Sequence, residues 1–134
     1  MRLLIAMSVL AMFSVAVAQD HAQTTAKVPK YNPAAEAAYK GTVDDLRTRE
    51  CPVSGGMGAH IMMRLSNGDV LEVHLATTEF TKIVEMNLKK GDTIEVTGWK
   101  TEFEGVQTIF ARQVKHGDDT YTFRAKDGTP AWIY

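Results

Sequence analysis

The 134-residue chain holds a single cysteine, Cys51, so no internal disulfide can form. A small domain without that staple must stand on its hydrophobic core. A lone cysteine in such a protein is buried and inert, joined to another molecule, or a ligand. Charge of one sign is also missing, with 15 Lys+Arg against 16 Asp+Glu. That balance argues against the basic face a nucleic-acid binder needs and against the polybasic stretch of a membrane-surface segment. Beyond the first 18 residues no apolar run approaches the ~20 residues that span a membrane. Neither G-x-S-x-G, H-E-x-x-H, a P-loop nor C-x-x-C occurs, which removes the common hydrolase, zinc-protease, nucleotide and redox signatures. The chain is therefore not expected to be an enzyme.

What is present begins with an address. Met1-Arg2 gives a positive start, Leu3 to Val17 is apolar except for Ser8 and Ser14, and Ala16-Val17-Ala18 supplies an A-x-A cleavage site. That pattern predicts a signal peptide over residues 1–18, cleaved near Ala18-Gln19, and a periplasmic or secreted product. Losing Arg2 leaves 14 Lys+Arg against 16 Asp+Glu, a formal charge of -2. Cys51 is not the first mature residue, which argues against a lipoprotein.

Residues 19–32 are polar and aperiodic and read as a flexible leader; residues 33–134 read as one domain. Asn32 and Pro33 predict a short helix reaching Tyr39, closed by Gly41. Strand-like runs follow over 42–48, 59–65 and 70–75, with Asn67-Gly68 as a hairpin signal between the last two. Thr77 to Leu88 changes to helical spacing, and Lys89-Lys90-Gly91 closes it. Further strands are expected over 92–99, 106–114 and 120–124. Five principal strands with one helix between the third and fourth predict a mainly β, OB-fold-like five-stranded Greek-key barrel. An α+β sandwich is the structural competitor. The tail Asp127 to Tyr134 is aromatic, and its Gly-x-Pro element is expected to turn Trp132 back onto the barrel.

Three phrases carry a family resemblance: Lys90 to Gly98 (KGDTIEVTG), the hairpin His60 to Leu75, and the ending Asp127 to Trp132 (DGTPAW). Over residues 39–132 the chain resembles a group of small exported bacterial OB-fold proteins. Some of these relatives are labelled DNA-binding or magnetosome-associated. The resemblance implies a fold and brings no catalytic signature with it.

The hairpin register decides which side chains share a face. A two-residue Asn67-Gly68 turn would set Ile61 opposite His74 and Met63 opposite Glu72, mixing apolar and polar groups. A three-residue Asn67-Gly68-Asp69 loop pairs Leu65 with Leu71, Met63 with Val73 and Ile61 with Leu75. His60, Met62, Arg64, Glu72 and His74 then share the other face. Only the second register separates core from solvent, because a one-residue slip inverts the faces.

The outward face of strands two and three is the usual OB-fold ligand platform. The leading expectation is thus a non-catalytic binding module using His60, Met62, Arg64, Glu72 and His74, with Gly55-Gly56 as a lid. One rival is a copper- or haem-handling accessory protein using His60, His74, Met62, Cys51 and Met57, whose imidazole and soft sulfur suit copper. Another is a structural adaptor docking through a sheet edge or Trp132. The everyday alternative leaves His60 and His74 as exposed strand residues and Cys51 buried. Ser54 has no base beside it, and the pairs Asp44-Asp45, Asp118-Asp119 and Glu102/Glu104 read as solvated. Trp99, Phe103, Phe110, Tyr121 and Phe123 read as core before they read as stacking surfaces. An envelope protein or a small ligand is the expected partner of a monomer, and nucleic acid is not.

Overall fold

The computed structural model describes residues 28–133. The expected signal peptide and the leader as far as residue 27 lie outside the described residues. Six strands follow one another as β1 (Glu36–Cys51), β2 (Gly56–Leu65), β3 (Val70–Thr77), β4 (Thr93–Phe103), β5 (Val106–His116) and β6 (Asp119–Thr122), with helix α1 (Thr78–Ile83) between β3 and β4. The order β3-β2-β1-β4-β5 runs antiparallel, and a parallel β3–β5 pairing shuts the ring. This is the OB-fold-like barrel expected from the element order. β6 extends the sheet beyond β5. Ile61, Met63, Val73, Val96, Ile109 and Val114, each fully buried, fill the interior.

The expected N-terminal helix is corrected to a single 3-10 turn, Pro33–Ala35. Its start signals are real, since Asn32 Oδ1 accepts the Ala34 N–H at 3.1 Å. A two-turn helix is marginal in water, however, and the ladder from Glu36↔Trp99 to Thr42↔Thr93 with β4 captures this segment as strand. β1 is consequently long enough to pair with β4 at its start and β2 at its end. A bulge at Asp44 bends it between the two.

Helix α1 begins as expected, with Thr77 Oγ1 accepting the Phe80 N–H at 3.2 Å. It stops at Ile83 rather than Leu88. Glu85 adopts φ 53°, and the Glu85 and Met86 N–H groups return to the Lys82 and Thr81 carbonyls at 3.0 Å each. That is a Schellman stop. A glutamate in the glycine position hides it from the sequence.

The β2–β3 loop has three residues, as expected, but they are Ser66-Asn67-Gly68. The Leu65 N–H meets the Asp69 carbonyl at 2.8 Å, and Ile61 pairs with Val73 and Met63 with Leu71. Each partner is displaced by two residues from the expected one. An even displacement preserves the faces, so the separation of core from polar residues stands.

The domain begins before Pro33. Tyr31, assigned to the leader from sequence, is buried and its hydroxyl donates to Glu36 at 2.7 Å. Arg112 Nη2 donates to the same carboxylate at 3.2 Å. The Arg112 hydrogen bond is the main reason Glu36 ionises below the usual carboxylate range, against the opposing effect of burial. A carboxyl depressed in the folded state stabilises fully above its unfolded pKa and loses that contribution as pH falls through the folded one. Glu36→Gln is therefore expected to cost about 1–2 kcal/mol near neutral pH. In urea unfolding the gap to wild type should close as the pH falls below the usual carboxylate range; a pH-independent gap would contradict the pairing.

Candidate metal centre

Cys51 ends β1 opposite Gly56, where Gly55 (φ 76°) turns the chain and returns its N–H to the Cys51 carbonyl at 3.0 Å. His60 on β2 and His74 on β3 are direct cross-strand partners, with ring centroids 4.1 Å apart. Even parity along both strands puts them on the outer face of the hairpin. They are nonetheless 2% and 4% exposed, which overturns the reading of them as exposed strand residues. Phe103 and Phe110 pack their rings against His74 at 5.6 and 5.3 Å. Trp132, from the tail, lines the same cavity as the two histidines.

One donor atom from each of Cys51, His60 and His74 falls within 4.8 Å of the others. Cys51 Sγ lies 3.5 Å from His74 Nδ1. Gly58 makes room for this meeting. A Cβ there would stand 3.0 Å from both Cys51 Cβ and His60 Nε2, and 2.7 Å from Ser54 Oγ.

A carboxylate closes the far side of the pair. Glu72 Oε1 is 2.9 Å from His60 Nδ1 and 3.6 Å from His74 Nε2. Those two nitrogens have no well-aligned hydrogen-bond partner. Glu72 is itself held by Arg49, whose Nη2 approaches the same oxygen at 2.7 Å. Arg49 continues to Glu104 at 3.4 Å. Each imidazole thus turns one nitrogen toward Cys51 and the other toward Glu72.

The electrostatics follow from this ring of groups. Burial alone would raise the Cys51 thiol, but hydrogen bonds with His60 and His74 outweigh it and lower it to about 5. The imidazoles therefore favour the thiolate over the thiol. Glu72 is lowered to about 2, first by the His60 imidazole 2.9 Å away, against burial, and then by Arg49. Burial opposes the charged form of His60, yet the adjacent Cys51 sulfur and Glu72 carboxylate raise its pKa.

The space between the donors is a cavity of about 10 Å³ lined by Cys51, Ser54, Gly58, His60, His74 and Trp132, among others. A cavity of that size admits about one water-sized particle.

The remaining candidates lie elsewhere. Met57 is 47% exposed and faces Glu50 across the ladder. Met62 is on the His60 face but two residues on, about 7 Å by strand rise. Arg64 is exposed and paired with Asp44 at 3.2 Å. Sequence reasoning placed Glu72 on this face without its role as the carboxylate behind both imidazoles, and missed Arg49 altogether.

Trp132 is held in place from outside the cavity. The Arg124 guanidinium stacks between Tyr31 and Trp132, 5.2 and 4.9 Å from the ring centres, and donates to the Gly128 carbonyl at 2.9 Å. The Ala131 N–H bonds the Phe123 carbonyl at 2.9 Å. The tail therefore packs back on the barrel.

Residues 36–121 match the MamS/MamX magnetosome protein family. The chain belongs to that family. The magnetosome-associated part of the resemblance is thereby supported. The matched span takes in Cys51, His60, Glu72 and His74 and ends before the Trp132 tail. No curated protein matches the chain.

Proposed function

We propose that this MamS/MamX member is an exported, non-catalytic metal-binding module. One ion would be held by Cys51 Sγ, His60 Nε2 and His74 Nδ1. The observation that carries this reading is the convergence of three good donors, all buried, on a cavity of about 10 Å³. A thiolate and two imidazoles are donors for copper or zinc. In the metal-free protein a proton shared between imidazole and thiolate occupies that role, and an entering cation would replace it. Glu72 supplies the carboxylate that commonly anchors the non-ligating nitrogen of a metal-bound histidine. Export rests on the N-terminal pattern from Leu3 to Ala18.

The chain Cys51–His60–Glu72 also has the connectivity of a cysteine nucleophile with its base and orienting acid. Against that use, Cys51 is 5% exposed and its cavity has no space for a substrate. The adaptor reading through Trp132 loses its basis, because that ring is 6% exposed.

The test is titration of the mature chain with Cu(I), Cu(II), Zn(II) and haem, followed by native mass spectrometry. One ion per chain, held tighter than ~10 μM and lost in the His60→Gln/His74→Gln double variant, is the expected result. Binding of none, or binding undiminished in the double variant, would reject the centre.

A further inference from the structure

Resting on the metal-centre reading, we infer that the site is built for monovalent copper in preference to zinc or iron(II). Two features separate these ions, and the first is donor number. Cys51, His60 and His74 converge as three ligands, while Glu72 is turned to their far nitrogens and engaged by Arg49 through both Nη2 at 2.7 Å and Nε at 3.3 Å. Structural zinc takes four protein ligands, and catalytic zinc three plus water. Non-haem iron(II) held by two histidines takes a carboxylate as third ligand and keeps open positions. Monovalent copper is satisfied by two or three soft donors.

The second feature is the absence of room for a supplementary ligand. A cavity of about 10 Å³ accommodates an ion or one water, and not an ion with its water. Phe103 and Phe110 pack on His74, Trp132 lines the cavity, and Cys51, His60 and His74 are 5%, 2% and 4% exposed, so little water reaches the donors.

Arg49, 2.7 Å from Glu72, bars a cation from the carboxylate side of the imidazoles, which leaves the Cys51 side for an ion.

The experiment is an anaerobic competition. The mature chain is equilibrated with Cu(I), Zn(II) and Fe(II) under ascorbate, read by native mass spectrometry, and its coordination counted by X-ray absorption. The expected species carries one copper per chain, retained against about a hundredfold excess of zinc, with one sulfur and two nitrogen neighbours. Zinc or iron held in preference, or a fourth oxygen or nitrogen neighbour on copper, would overturn the inference. Zinc binding that disappears in Cys51→Ser and in His74→Gln would overturn the copper preference alone and leave the metal centre standing. Binding of no ion would remove both.

Discussion

Cys51→Ser is expected to weaken metal binding by more than about a hundredfold, beyond the range that loss of an outer-shell partner produces. The thiolate, not the thiol, is the ligand, and the lowering of Cys51 to about 5 favours that form. A serine hydroxyl of nearly the same size stays protonated and offers no comparable donor. The barrel itself should survive. Cys51 ends a strand and faces an ion-sized cavity, so the substitution is expected to cost about 1 kcal/mol in the metal-free protein. Calorimetric titration beside urea unfolding separates the two effects. Retained affinity in a folded Cys51→Ser protein would place the ion elsewhere; equal losses of affinity and fold would make Cys51 a structural residue.

The largest effect on stability is expected at Gly98. β4 and β5 come so close there that a Cβ on Gly98 would collide with the Phe110 carbonyl oxygen and stand 3.0 Å from Ala111 Cα. Both obstacles are backbone, and neither can rotate away. The register also shifts at this point, between Thr97 and Gly98. Arg112 lies in that interruption, and its carbonyl accepts the Phe123 N–H at 2.8 Å. Gly98→Ala should therefore destabilise by about 3 kcal/mol or more, the upper part of the range for overpacking. With a urea dependence of about 1.5 kcal/mol per molar, the midpoint falls by about 2 M. Gly56→Ala, where a Cβ would meet nothing within 4 Å, is the control and should stay within about 0.5 kcal/mol. A small effect at Gly98 would mean that β4 and β5 can part without loss. Phe110 packs on His74, so the substitution is expected to loosen the metal site as well.

The two substitutions mark what could and could not be read from sequence. Element order was legible because its punctuation is local: Asn67-Gly68, Thr77 as a cap, Lys90-Gly91 at the entry to β4. The face shared by His60, Glu72 and His74 was legible because parity survives a two-residue displacement of partners. The N-terminal helix was misread because Asn32 and Pro33 do start a turn, and only the ladder with β4 converts Glu36 onward into strand. The end of α1 was invisible because Glu85 occupies a position that glycine ordinarily marks. Burial of the histidines could not be seen either. It comes from Phe103, Phe110 and Trp132, remote in sequence, arriving over a face that alternation alone assigns to solvent. Arg49 belongs to the site through a cross-strand ion pair with Glu72, and no spacing along the chain announces such a pair.

The central claim is that Cys51, His60 and His74 form one metal centre. Anomalous diffraction from crystals of the copper-loaded mature protein, collected at the copper absorption edge, tests it most directly. The account predicts a single anomalous peak per chain, bonded to Cys51 Sγ, His60 Nε2 and His74 Nδ1, with Glu72 against the far nitrogens. A peak at another position, or none in the cavity beneath Trp132, would contradict it.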